Sequence, residues 1–293
     1  MDPSHRELVV GPEKGYFEGA RWHDGALWFS DFRKLDVSRV DAAGTLTRVA
    51  TVPTRPGGLG FAPDGAPMVV SIDDCAVWKL GPGGEPELLG SLGDDAIGTH
   101  DMAVDAEGRC YIAEWGYDVL GGEESRPTGV LLRQPDGRVE RQGSGLFLPN
   151  GIVVSPDGRT LVVAETFARP NTRLTAFDIG ADGALSNQRL FAEFGPVETD
   201  SPDGLCMDVE GGVWVSFPFR GEFRRVLEGG DISDTISIPK EEGSHCVDCA
   251  LGGPEMRTLY LLIADTDMER MADNYDATSR IEAVEVDVPG PAG

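Results

Sequence analysis

The segment Ile152–Glu165 reads IVVSPDGRTLVVAE, and it contains the pattern on which most of the chain is built. Two short apolar runs, rich in β-branched residues, flank the turn at Pro156, Asp157 and Gly158. Apolar runs of this length joined by an Asp-Gly turn are typical of an antiparallel β-hairpin. The runs have almost no polar alternation, which indicates strands that are covered on both faces.

The same hairpin pattern recurs along the whole sequence in six copies. Their turn glycines are Gly25, Gly65, Gly108, Gly158, Gly211 and Gly253, at intervals of 40 to 53 residues. Weaker strands, such as Leu174–Ile179 and Gln188–Phe194, follow most copies, so each period supplies about four strands, the size of one propeller blade. The sequence therefore predicts an all-β fold, a six-bladed β-propeller with four-stranded antiparallel blades, formed as a single domain by residues 1–293.

The two ends of the chain are predicted to close the ring. Leu8–Val10 is expected to supply the outer strand of the last blade, after Ile281–Val286, so that no long strand edge stays exposed. A β-sandwich would need fewer strands and gives no reason for six equal periods. Two segments, Asp118–Pro127 and Asp267–Ala277, fit no blade and are predicted to be loops or short helices that shape a pocket over one face.

Composition excludes several classes of partner. The 293 residues include 50 acidic and 25 basic side chains, and the formal charge of −25 disfavours binding to nucleic acid or to an anionic membrane surface. We found no apolar run of the length that a membrane helix needs, and the polar start Met1–Arg6 does not resemble a secretion signal. The five scattered cysteines indicate reduced thiols rather than a disulfide framework. We therefore expect a cytoplasmic protein.

One position in each repeat is defined by its distance from the turn glycine. It lies eight residues before that glycine, or seven in the first copy, where the chain enters the innermost strand of the predicted blade. The residues at this position are Glu18, Gly57, His100, Asn150, Asp203 and His245. Equivalent positions of different blades converge on the axis of a propeller, so the oxygens of Glu18, Asn150 and Asp203 are expected to meet.

Carboxylate and amide oxygens are the ligands that a hard divalent cation prefers, and Ca²⁺ leaves part of its shell to water or substrate. The sequence thus predicts a metal site with open positions at Glu18, Asn150 and Asp203. Asn150-Gly151 and Asp203-Gly204 are also ordinary turn formers, and either pair alone would favour that interpretation. The equal spacing in separate repeats favours the metal site.

Several short segments together carry a family resemblance that covers nearly the whole chain. They are Phe17–Gly19, Leu148–Gly151, Ser155–Thr160, Ser201–Gly204, Leu251–Pro254 and Arg257–Tyr260. With them the chain resembles the regucalcin/gluconolactonase (senescence-marker-protein) family, a relative of paraoxonase, diisopropylfluorophosphatase and strictosidine synthase. The resemblance implies a six-bladed propeller in which Ca²⁺, or alternatively Zn²⁺ or Mn²⁺, is bound by residues matching Glu18, Asn150 and Asp203. It also implies hydrolysis of lactones, and of phosphoesters in some relatives.

The sequence departs from the family at one informative segment. Gluconolactonase-like members usually carry Arg-x-Asn-Asp, with the arginine on the sugar lactone, and this chain reads Gly98-Thr99-His100-Asp101. Binding of a sugar lactone is therefore in doubt, and a less polar substrate is favoured. His100 is either a fourth metal ligand that favours Zn²⁺ or Mn²⁺, or a proton shuttle, or a structural histidine. His245 is a weaker candidate of the same kind.

Side chains at the ends of second strands are further candidates. Glu114 and Glu165 either support the metal ligands or accept hydrogen bonds from loop backbone, and we favour the second role. Four aromatic residues either form an apolar pocket wall or pack in the core, and these are Trp115, Phe167, Phe217 and Phe219.

These observations predict a metal-dependent hydrolase that opens a lactone or a related ester by metal-activated water. Asp203 is expected to be both a metal ligand and the general base, and His100 is the second candidate catalytic residue. The partner is then a small-molecule substrate. Two alternatives stay open: a metal-stabilised propeller that serves as a binding or scaffold protein, and a specialised biosynthetic enzyme on the strictosidine-synthase-like fold.

Overall fold

Short apolar strands satisfy their backbone hydrogen bonds only by pairing with neighbouring strands, and each run of the sequence finds such partners. The computed structural model describes residues 6–119, 121–239 and 245–292. Within these residues the chain forms six four-stranded antiparallel sheets, each of which is one blade. The predicted all-β, six-bladed propeller is therefore confirmed.

The strands follow one another blade by blade, and β1 (Glu7–Lys14) opens the chain. Blade 1 contains β2 (Phe17–His23), β3 (Ala26–Asp31), β4 (Asp36–Asp41) and β5 (Leu46–Thr51). Blade 2 contains β6 (Pro56–Phe61), β7 (Pro67–Ser71), β8 (Ala76–Leu80) and β9 (Pro86–Ser91). Blade 3 contains β10 (Thr99–Val104), β11 (Cys110–Glu114), β12 (Thr128–Arg133) and β13 (Val139–Leu146). Blade 4 contains β14 (Pro149–Val154), β15 (Thr160–Glu165), β16 (Arg173–Ile179) and β17 (Leu185–Glu193). Blade 5 contains β18 (Leu205–Met207), β19 (Val213–Phe217), β20 (Glu222–Val226) and β21 (Ile232–Ser237). Blade 6 contains β22 (His245–Gly252), β23 (Thr258–Asp265) and β24 (Thr278–Glu285), together with β1.

The first strand completes the last blade. β1 pairs antiparallel with β24, and its register joins Glu7 to Ala283 and Lys14 to Thr278. The prediction that Leu8–Val10 closes the ring is confirmed. Two short helices lie between strands, α1 (Val197–Asp200) and α2 (Met268–Ala272). In the described part of the chain, neither helix is long or apolar enough to cross a bilayer.

The hairpin at Ile152–Glu165 forms as its sequence predicts. Val153 pairs with Val162, and the Gly158 N–H donates to the Ser155 carbonyl at 2.8 Å to close the turn. Val162 and its neighbours in β15 are fully buried, because blades 3 and 5 cover the two faces of this sheet. Every pair of neighbouring blades shares one such apolar cluster, so the core is distributed around the ring.

Candidate active site

In three blades, the innermost strand carries a polar side chain at the same position along the strand. Glu18, His100 and Asn150 are the second residues of β2, β10 and β14, and each strand has a bulge just after this step. A bulge bends a strand and changes the direction of its side chains. Asp203 lies two residues before β18. All four residues are buried and line one cavity of about 530 Å³ above the starts of the inner strands.

The other two blades supply no polar side chain at this step. In blade 2 the backbone of Gly57 packs so closely on the His100 carbonyl that a Cβ atom would overlap the oxygen. In blade 6 the equivalent residue is Val247. The Val247 carbonyl accepts a hydrogen bond from Ser216 Oγ of the preceding blade at 2.7 Å. The Gly57 carbonyl accepts the corresponding bond from Ser30 Oγ at 2.6 Å, so the two residues occupy the same position in their blades.

His245 therefore does not occupy the position that its distance from the turn predicts. Counting eight residues back from the turn glycine fails in blade 6 because its innermost strand, β22, has eight residues, whereas β10 has six. His245 lies at the cavity wall, with its ring centroid 5.7 Å from that of Phe219. Burial lowers the pKa of His245, which leaves the ring neutral at neutral pH.

Unpaired polar atoms are concentrated in this cavity. Asn150 Oδ1, Asp203 Oδ1 and His100 Nδ1 are buried, and none of them has a hydrogen-bond partner among the described residues. Glu18 Oε2 accepts the Gly19 N–H at 3.2 Å, while its Oε1 lies 3.9 Å from His100 Nε2. A buried polar atom without a partner costs about 1–3 kcal/mol, so a bound group that completes these atoms is favoured.

The oxygens of Glu18, Asn150 and Asp203 fit a hard divalent cation by type, since two are carboxylates and one is an amide. Among the residues that the structure describes, no three His, Cys, Asp or Glu side chains are grouped closely enough to hold a metal ion. The candidate donor set therefore depends on Asn150, which is not of those types.

The electrostatics of the cavity also favour a positive charge. Burial raises the pKa of Glu18 well above its usual value, and the Asp203 carboxylate raises it further. Burial likewise raises the pKa of Asp203, with a further contribution from Asp248. A cation between these groups would reverse both shifts. Burial lowers the pKa of His100 to about 4, so its imidazole is neutral at neutral pH.

A second layer of charge lies one step further along the inner strands, and the sequence analysis missed it. Arg21 Nη2 lies 2.7 Å from Asp101 Oδ1, and Asp248 accepts two backbone N–H groups. Burial raises the pKa of Asp248 to about 7, opposed by the Arg21 charge. The sequence signal for this layer is an aspartate directly after the equivalent inner-strand position in two repeats. Asp101 follows His100, and Asp248 follows Val247.

Two buried glutamates at the ends of second strands hold loop backbone, as predicted. Each accepts a backbone N–H from the segment before its inner strand and forms an ion pair with an arginine. Glu114 accepts the Ile97 N–H and pairs with Arg141, and Glu165 accepts the Phe147 N–H and pairs with Arg173. These contacts fix the segments that lead into β10 and β14, and so the positions of His100 and Asn150.

Aromatic and aliphatic side chains form most of the cavity wall. Trp115, Phe167 and Phe219 lie there, whereas Phe217 is fully buried in the core between blades 4 and 5. The two segments predicted to cover one face also contribute to the wall, through Val119 from the first and residues that include Tyr275 from the second.

Gly98, which matches the arginine of the family segment, lies beneath the indole of Trp115. Its φ angle is +65°, and an added Cβ would lie 2.5 Å from Trp115 Cε3. A non-glycine residue is strained at this φ, and an arginine side chain has no room under the indole. Trp115 thus occupies the space that a side chain at position 98 would need.

Comparison with known proteins agrees with this fold. The family model of the SMP-30/gluconolactonase/LRE-like region matches residues 17–265. Regucalcin of Danio rerio is 28% identical over 197 residues, which are 65% of this chain and 63% of that protein, so the chain spans less than two thirds of this relative. Pentonolactonase XacC of Haloferax volcanii is 26% identical over 267 residues, 89% of this chain and 86% of its own.

Among solved structures, a calcium-binding protein, regucalcin from Agrobacterium tumefaciens, superposes with a TM-score of 0.78. It covers 98% of this chain and 95% of its own at 20% identity. At this identity the similarity is one of fold.

Proposed function

Because the chain belongs to the SMP-30/gluconolactonase/LRE-like family, we propose that it is a metal-dependent hydrolase that opens a lactone or a related ester. One observation carries the proposal: the unpartnered oxygens of Asn150 and Asp203 lie in the same cavity as Glu18. A relative that is named as a pentonolactonase, matched over 89% of this chain, supports a lactone as the class of substrate. The partner is accordingly a small molecule.

Glu18, Asn150 and Asp203 are the residues that would hold the metal. An all-oxygen donor set favours Ca²⁺, and Zn²⁺ or Mn²⁺ becomes the alternative if the imidazole of His100 joins it. The ion would polarise the substrate carbonyl and make a water molecule more acidic. Burial of the two carboxylates supports this role, since burial raises the pKa of Glu18 and of Asp203 and a cation would compensate their negative charge.

Asp203 is proposed as the general base. Its Oδ1 would accept a hydrogen bond from water and take a proton while the water oxygen adds to the carbonyl carbon. The ring C–O bond then breaks, and the leaving alkoxide takes the proton back, which yields the hydroxy acid. The neutral imidazole of His100 is proposed to relay that proton or to act as a fourth ligand, and both roles require the neutral form that its burial maintains.

The test compares Asp203→Asn with a matched control, Asp64→Asn, whose carboxylate is 64% exposed on a turn outside the cavity. Protein stripped with a chelator is titrated with Ca²⁺, Zn²⁺ and Mn²⁺ and assayed on a panel of lactones and esters. We expect metal-dependent turnover that falls by about 100-fold or more in Asp203→Asn and stays unchanged in the control. Wild-type rates in a folded Asp203→Asn variant would refute the assignment.

The two alternatives are separate outcomes of the same experiment. Tight metal binding without turnover of any lactone or ester supports a metal-stabilised binding or scaffold propeller. Turnover that needs no metal points to an enzyme of the strictosidine-synthase-like kind. A metal-stabilised scaffold would use the same two buried carboxylates and amide oxygen, so turnover is the result that separates it from the hydrolase, whereas a metal-free enzyme leaves these groups uncompensated.

A further inference from the structure

The cavity has one permanently cationic side chain among its described lining residues, Arg55, to which the sequence analysis gave no role. Arg55 directly precedes β6 and is 15% exposed in its side chain. Its Nη2 lies 3.6 Å from Asp73 Oδ1, and its Cζ lies 5.0 Å from the ring centroid of Tyr275. Arg55 Nη1 is buried, and within the part of the chain that the structure describes it has no hydrogen-bond partner.

A second unused donor belongs to Trp115, whose indole packs on Gly98. Trp115 Nε1 is buried with no hydrogen-bond partner from residues 6–119, 121–239 or 245–292, and Trp115 lines the same cavity. Buried N–H groups are rarely left unpaired, because each loses its hydrogen bond to water. The cavity therefore offers donors at Arg55 and Trp115, and acceptors at Asn150 and Asp203.

The wall is suited to a substrate with an apolar body. About half of the described lining is aromatic or aliphatic, and the aromatic members are Tyr16, Phe32, Trp115, Phe167, Phe219 and Tyr275. An apolar framework gains from burial against these rings.

We propose that Arg55 binds a carboxylate on a substrate whose body is apolar or aromatic. The substrate class is then a lactone or ester that also carries a carboxylate on a hydrophobic framework. The ester bond in this description rests on the proposed hydrolase function, whereas recognition of the carboxylate by Arg55 is a property of binding alone. A planar guanidinium with a free N–H is suited to a carboxylate.

Charge makes Arg55 necessary for such a ligand. The chain carries a formal charge of −25, so an anion that approaches the cavity enters a negative field. An anion entering this field needs a compensating cation. Among the described lining residues, Arg55 is the one whose side chain is permanently cationic.

The test measures binding by isothermal titration calorimetry on the Ca²⁺-loaded protein. The ligands are 3-phenylpropanoate, its neutral analogue 3-phenylpropanamide, and gluconate as a polar acid. The variants are Arg55→Met and a matched control, Arg48→Met, which removes one positive charge from an arginine that is 68% exposed and lies outside the cavity.

We expect the wild type and Arg48→Met to bind 3-phenylpropanoate at least about tenfold more tightly than the amide and than gluconate. In Arg55→Met the preference for the carboxylate over the amide should fall to about twofold or less. A preference that survives in Arg55→Met, gluconate binding as tightly as 3-phenylpropanoate, or no detectable binding by the wild type would each overturn the proposal.

Kinetics on δ-phenyl-δ-valerolactone and its ring-carboxylated analogue separate this proposal from the hydrolase function. An Arg55-dependent preference in calorimetry with no hydrolysis of either lactone refutes the hydrolase and leaves the role of Arg55 standing. Hydrolysis of both lactones with equal kcat/KM, together with no calorimetric preference for the carboxylate, refutes the role of Arg55 and leaves the hydrolase function standing.

Discussion

The guanidinium of Arg21 lies 2.7 Å from the carboxylate of Asp101, in a layer of the central channel next to the candidate site. Arg21 also donates to the carbonyl oxygens of Ala20 and Met102, at 2.8 and 2.9 Å. With Asp248 nearby, one cation stands among two buried carboxylates. The single positive charge of Arg21 can compensate only one of these two carboxylates.

Removal of this cation should destabilise the fold. Arg21→Met leaves Asp101 and Asp248 buried without a counterion, and breaking a buried pair in this way costs about 3–5 kcal/mol. Urea unfolding followed by tryptophan fluorescence measures the loss. The control Arg48→Met, on the exposed face of β5, should change the free energy of unfolding by less than about 0.5 kcal/mol. Equal stabilities of the two variants would contradict the account.

Asp248 should make the metal-free protein less stable as the pH rises. Its folded pKa is raised to about 7, so between the unfolded pKa of about 3.9 and pH 7 the folded state holds the proton that the unfolded state has lost. The stability that Asp248 contributes is therefore fully present below about pH 3.9 and is lost as the pH rises to about 7. Between pH 4 and pH 8, the free energy of unfolding measured with urea should fall less steeply in Asp248→Asn than in the wild type. Parallel curves for the two proteins would be inconsistent with a titrating Asp248.

Metal affinity should rise with pH. Burial raises the pKa of Glu18 and Asp203, and a cation displaces protons that these carboxylates hold. Calorimetric titration with Ca²⁺ at pH 6 and pH 8 should therefore show tighter binding at the higher pH, with proton release at the lower one. An affinity independent of pH, or higher at pH 6, would argue against these residues as ligands.

His100 can be tested by giving it the residue that the family usually carries. His100→Asn replaces an imidazole by an amide oxygen, which suits Ca²⁺ better than Zn²⁺. If His100 is a ligand, the variant should lose about tenfold or more in Zn²⁺ affinity and little in Ca²⁺ affinity. If it only relays a proton, both affinities should stay unchanged while kcat falls. A variant unchanged in affinity and in kcat would show that His100 has a structural role.

Gly98 and Trp115 should be energetically coupled. Gly98→Ala introduces strain at a φ of +65° and a clash with the indole, and it should cost about 1–3 kcal/mol. In a Trp115→Ala background only the backbone strain remains, so the cost should be smaller. A double-mutant cycle in urea measures this difference. Additive effects would mean that the indole moves away freely.

The sequence predicted those features that depend on local pattern. The repeated turn glycines gave the number of blades, and Leu8–Val10 gave the closing strand, because each depends on a short apolar run next to a turn. The assignment of His245 to the inward step was wrong, since a hairpin with longer strands changes the count from the turn. Glu18, Asn150 and Asp203 do line one cavity, and their role as metal ligands stays a prediction.

Features that depend on packing between blades were not visible in the sequence. Arg55 enters the cavity from the segment before β6, where no repeat position marks it. Phe217 and Trp115 both follow the pattern of a strand end, yet one packs in the core and the other lines the cavity. Which of these happens is decided by the neighbouring blade, whose residues are distant in sequence.

Ring closure by β1 also governs when the candidate site can exist. The two strands β1 and β24 join residues more than 250 positions apart, so their contact comes late in any folding order and at a high cost in chain entropy. Gly15 and Phe17, just before Glu18, are tied by hydrogen bonds to Ser279 of β24. Glu18 therefore lacks this anchor until β24 is in place, so the geometry of the candidate site depends on closure of the ring.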